Sequence, residues 1–177
     1  PQNISPLLEK MVGNTNIDDF EADEATQYLS VYRPQIISEK EKLPVIIWVH
    51  GGSYEIGCGD VETADPTDWV KEQNVIVVCV SYRLGIFGFL GGTKERPANL
   101  GLFDIIEALK WVKNYITDFG GNNENITLFG QSSGADAIAH LMISDGVEGL
   151  FQNVIIQSAP LGLRRNRAKM SREFLNK

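Results

Sequence analysis

The chain has 177 residues, enough for about one domain with a real core. Its 43% apolar and 22% charged residues are ordinary globular usage. Sixteen basic against 23 acidic side chains leave a net charge of −7, which argues against a nucleic-acid partner, and no apolar run approaches the ~20 residues that span a bilayer.

In chain order, the polar, acidic first 24 residues read as surface loop, and the chain opens on Pro1 rather than Met, so its true start is expected upstream. "QYLSVYRP" (27–34) alternates and stops at Pro34, which predicts a strand. "EKEK" (39–42) is a charged turn. "LPVIIWVHGG" (43–52) is an apolar run closed by glycines, the pattern of a strand buried on both faces. A Gly- and Asp-rich loop follows, then "WVKEQ", the end of a short helix, then a second fully apolar strand, "NVIVVCVSYRLG" (74–85). Residues 99–121 predict a helix: Leu102, Ile105, Ile106, Leu109, Val112 and Ile116 share one face, Asn99 caps the start, and Gly120–Gly121 stop it. A strand over 125–130, a helix over 132–144, a strand within 151–159 and a basic helical tail complete the reading. Strands alternating with helices predict an α/β fold with a mostly parallel sheet.

Cys58 and Cys79 are the only cysteines, too few for a disulfide framework, and Cys79 reads as a small buried hydrophobe. The triplets at Asn3 ("NIS") and Asn125 ("NIT") matter only in a secreted protein. Localisation stays open, with a lean to a reducing, cytoplasmic setting.

Two motifs carry chemistry. "GQSSG" (130–134) fits G-x-S-x-G between a strand and a helix, the context of a nucleophile elbow. Such a turn lifts the Ser132 hydroxyl above the sheet, beside the N–H groups and positive dipole end of a helix start. "HGGS" (50–53) follows a strand; its glycines let main-chain N–H groups approach a developing oxyanion. Gly51, Gly52 and Ser53, with Ser133 after the nucleophile, are the candidate donors. Tyr54, Phe87 and Phe89 are candidates for an ester pocket or for core packing. No metal or cofactor is called for.

Ser132 needs a base. His140 and Asp136 follow it in the order Ser–Asp–His, but all three fall on one helix, and eight residues of rise put His140 about 12 Å along the axis. His140 therefore reads as a packed helix residue, and His50 as a turn-holding one at a strand end. The 177 residues hold no further histidine.

These stretches resemble the type-B carboxylesterases, the family of cholinesterases and para-nitrobenzyl-type bacterial esterases. "FGGNNENITLFGQSSG" follows the family's active-site signature, and "PVIIWVHGGSY", "VCVSYRLGIFGFL", "NLGLFDIIEALKWVKNYITDFGG" and "GLFQNVIIQSA" match family segments in order, over about residues 27–160. The resemblance implies an α/β-hydrolase fold, a carboxylic ester as small-molecule substrate, an acyl-enzyme on Ser132 and no cofactor. It also implies that 1–177 is a partial α/β-hydrolase domain, whose acid and base lie on later strands of the same chain. Departures are Gln131 where the family usually has Glu, Ser133 for Ala or Gly, Ser53 for the third glycine, and Thr26 for a disulfide cysteine. Gln131 and the missing base keep a non-catalytic adhesion module open, and a thioesterase or lactonase is a third reading. The apolar strand at 151–159, with no partner after it, is expected to leave an exposed face.

Overall fold

A computed structural model describes residues 23, 25, 27–38, 42–92, 97–163, 169 and 171–173. The expected N-terminal loop, most of the charged turn and most of the basic tail lie outside the described residues.

Among the described residues five strands form one sheet: β1 (Tyr28–Tyr32), β2 (Leu43–Val49), β3 (Ile76–Ser81), β4 (Gly121–Gln131) and β5 (Asn153–Gln157). Their spatial order is β1-β3-β2-β4-β5, with β1 antiparallel to β3 and every other pair parallel. The mostly parallel α/β sheet read from the pattern is what the chain forms.

Because side chains alternate across a strand, β2 feeds both faces. Val45, Ile47 and Val49 pack with Ile76, Val78 and Val80 of β3 under the helices α3 (Leu100–Tyr115) and α4 (Ser133–Leu141). Ile46 packs instead with Val77, Cys79 and Val70 of α1 (Thr67–Gln73). Cys79 is buried, and burial pushes its thiol up to about 12. It behaves as the small hydrophobe expected.

Four differences from the sequence reading have physical reasons. The strand read over 74–85 ends at Ser81, and residues 85–89 form a short helix, α2 (Gly85–Phe89). The Arg83 side chain and N–H both bind Asp104 of α3, at 2.6–3.0 Å, which turns the chain off the sheet. The long helix ends at Tyr115 rather than 121, with a 3-10 turn over Ile116–Phe119 and Gly120 in the left-handed region. Ile116 is fully buried, so the apolar period continues although the backbone has tightened. Asn99 stands at the helix start but does not cap it by side chain; it is left-handed (φ 59°), and its carbonyl accepts from Leu102 and Phe103 N–H.

The strand expected at 125–130 begins at Gly121. Its pairing with β2 jumps from Leu43↔Gly121 to Val45↔Ile126, so 122–125 bulge away from the ladder. Pro44, which has no N–H to give, sits opposite that jump. Lys113 of α3 holds the bulge by donating to Asn123 O and Glu124 Oε1, both at 2.8 Å.

Candidate active site

Parallel pairing of β2 with β4 brings the ends of both strands to one rim, Val49 opposite Gly130. The 50–53 corner and the 130–134 turn leave the sheet there, side by side.

At the turn, Ser132 has φ 55° and ψ −124°, a region costing a non-glycine residue about 1–3 kcal/mol. Its surroundings hold it there. The Ser132 N–H donates to Gln157 O of β5 at 2.9 Å, and its carbonyl accepts from Asp136 N–H at 3.0 Å, the first bond of α4. Gly134 lies so close to β2 that a Cβ would meet Val49 O at 2.1 Å. Any side chain there pushes α4 off the strand and opens the turn. The side chain of Ser133 is buried and Ser132 half-buried.

At the corner, Gly52, Ser53 and Tyr54 have φ of 111°, 59° and 64° in succession. A Cβ on Gly52 would fall 2.0 Å from Ile56 O, so only glycine fits. Left-handed backbone at Ser53 and Tyr54 costs about 1–2 kcal/mol each. The corner is closed by Glu55 and Ile56 N–H donating to Gly52 O. Among the described residues, the N–H groups of Gly51, Gly52 and Ser53 find no acceptor within the protein, and Ser133 opens α4, where N–H groups have no helical partner. A Cβ on Gly51 would stand 3.2 Å from Ser132 Cβ, so the corner touches the serine turn. Ser132, Gly51, Gly52, Ser53 and Ser133 thus lie at one rim.

His50 opens the same corner, but its ring is committed to holding it. His50 is 4% exposed, stacks on Tyr82 at 4.5 Å and donates from Nδ1 to Gly51 O at 2.7 Å. Its Nε2 is buried with no partner among the described residues. Burial lowers its pKa to about 4, so the ring is neutral and holds the turn. The Tyr82 hydroxyl donates to His50 O at 2.8 Å and braces the same corner. His140 is on the helix as expected but is not packed: its side chain is 58% exposed and lies 3.8 Å from Asp136 near the far end of α4.

Of the pocket candidates, Phe87 is exposed, while Tyr54 is buried against Phe89 at 4.6 Å. The sequence reading missed what Tyr54 also does: its hydroxyl donates to Asp136 Oδ2 at 2.7 Å, and its N–H to Ser133 Oγ at 3.3 Å. Both partners sit in the first turn of α4. Among the described residues there is no cluster of metal-ligating side chains and no helix long and apolar enough to cross a membrane.

Comparison with known proteins gives three concordant results. The model of the carboxylesterase family matches residues 2–176. A probable N-octanoylanthranilate hydrolase of Rhodococcus erythropolis is 41% identical over 163 residues, 92% of this chain and 35% of that protein, and the para-nitrobenzyl esterase of Bacillus subtilis is 42% identical over 134 residues, 74% and 27% respectively. The solved structure of a PNB esterase superposes with a TM-score of 0.78 at 36% identity, covering 87% of this chain and 34% of that one. The chain therefore spans about a quarter to a third of the length of these relatives.

Proposed function

The chain belongs to the carboxylesterase family, with the α/β-hydrolase fold, and from that premise we propose that these 177 residues are a partial hydrolase domain carrying the nucleophile and oxyanion hole of a carboxylic ester hydrolase. The observation that carries this reading is the strained Ser132 turn pressed against the glycine corner at Gly51.

In the proposed reaction Ser132 Oγ attacks the ester carbonyl carbon. Its proton passes to a base, and the carbonyl oxygen takes the negative charge. Main-chain N–H groups of the 51–53 corner and Ser133 donate to that oxygen; each such donor, fixed before the reaction, is worth roughly 10²–10³ in rate. Collapse breaks the carbon–oxygen bond to the alcohol, which leaves with the proton, and water releases the acid from the acyl-serine by the same steps. No cofactor enters. The acid and the base are proposed to come from the remainder of the same esterase chain, because His50 is committed to its turn and His140 lies turns away along α4.

The test is a fluorophosphonate probe with the full-length protein. Labelling at Ser132, abolished in Ser132→Ala, is expected; an unlabelled but folded protein would support the adhesion reading instead. The 177-residue chain alone is expected to release nitrophenol from a short acyl ester negligibly, since loss of a triad histidine costs on the order of a million-fold.

A further inference from the structure

Tyr54 is held at four points. Its N–H donates to Ser133 Oγ at 3.3 Å, its carbonyl accepts from Gly85 N–H at 2.6 Å, its hydroxyl donates to Asp136 Oδ2 at 2.7 Å, and its ring lies on Phe89. Two of these partners belong to the first turn of α4. Ser133 adjoins the serine, and Asp136 donates its N–H to Ser132 O. The other two belong to α2. Tyr54 itself closes the run of three positive-φ residues that makes the corner. An unsupported run of this kind relaxes, and the N–H groups of Gly52 and Ser53 swing with it.

We propose that Tyr54, Ser133 Oγ and Asp136 form a clamp that fixes the oxyanion corner to the helix of the nucleophile, making all three positioning residues for the ester chemistry. The inference rests on the esterase reading above. It assigns a purpose to one departure from the common family pattern, Ser133. The Ser133 hydroxyl contributes an acceptor, while its N–H remains the oxyanion donor. Asp136 is the hydroxyl's anchor rather than a triad acid. Its Oδ2 accepts from the Tyr54 hydroxyl and lies 3.8 Å from His140 Nε2. The clamp's side-chain bonds act through the backbone they hold, so their loss should act on the transition state, where donor placement counts, more than on ground-state binding.

The experiment uses the full-length enzyme, with Tyr54→Phe, Ser133→Ala, Asp136→Ala and Asp136→Asn. Tyr54→Phe and Asp136→Ala are each expected to lower kcat about tenfold with KM within about twofold, a size that follows from slight misplacement of donors. The Tyr54→Phe/Asp136→Ala double variant should lose no more than either single one, and Asp136→Asn, which keeps an acceptor, should recover most of kcat. A trifluoromethyl ketone, which captures the serine as an oxyanion, should bind the clamp variants more weakly by the same factor as kcat falls. Unchanged kcat in Tyr54→Phe, or losses that multiply in the double variant, would overturn the clamp. Fluorophosphonate labelling of the parent enzyme is read first, since its absence would sink the esterase reading and not the clamp alone.

Discussion

β3 and β5 are both short runs of Val and Ile, "IVVCVS" and "NVIIQ", yet they end in opposite states. All six residues of β3 are buried, between β1 and β2 and under helices on both faces. In β5, Ile155 and Ile156 are 41% and 38% exposed. The first edge of the sheet is finished: β1 runs antiparallel along β3, and its Ser30 and Tyr32 hydroxyls donate to Asp60 at 2.7 and 3.1 Å. At the second edge no strand lies beyond β5 among the described residues. An apolar run therefore does not make a core; neighbours on both faces and both edges do.

The sharpest way to break this contrast is to shave equal side chains from each region. Ile47→Ala, at a fully buried site in β2, should cost about 2–5 kcal/mol. Ile155→Ala on β5 should cost under about 1 kcal/mol, having less burial to lose. Urea unfolding midpoints would measure both, and equal losses would show that β5 is as enclosed as β2. The next effect is pH. Unfolded His50 takes a proton near the ordinary histidine value of 6.5, but folded His50 does so only near 4. Between those values the unfolded state binds more protons, so stability falls as pH drops through this window. At 1.36 kcal/mol per pH unit the full loss is about 3 kcal/mol. His50→Gln should flatten that part of the profile, and a slope unaltered by the substitution would place the acid sensitivity elsewhere. The smallest effect on stability belongs to the open edge. Ile155→Lys with Ile156→Lys should change stability by about 0.5 kcal/mol or less yet reduce concentration-dependent self-association, since charge on an edge strand blocks further pairing. Sedimentation at rising protein concentration would show it.

Much of this was legible in order along the chain. "VIIWV" and "VIVVCV" announced buried strands because both faces of each meet a layer of helix. "GQSSG" announced the turn because Gly134 must lie against a strand. The 122–125 bulge was not legible: "NNEN" has no period, and its hold is the Lys113 side chain on a helix. Nor was the end of α3, since Ile116 keeps the apolar period while the backbone changes. The Tyr54–Asp136 bond joins residues 82 apart, and no local pattern encodes such a pairing.

The bond from Ser132 N–H to Gln157 O gives the open edge a second meaning. The Ser132 turn is moored to the last residue of the least enclosed strand. Fraying of β5 would loosen the serine's backbone before it disturbed the interior, so hydrogen exchange at the Ser132 amide reads out how firmly that border ribbon is seated.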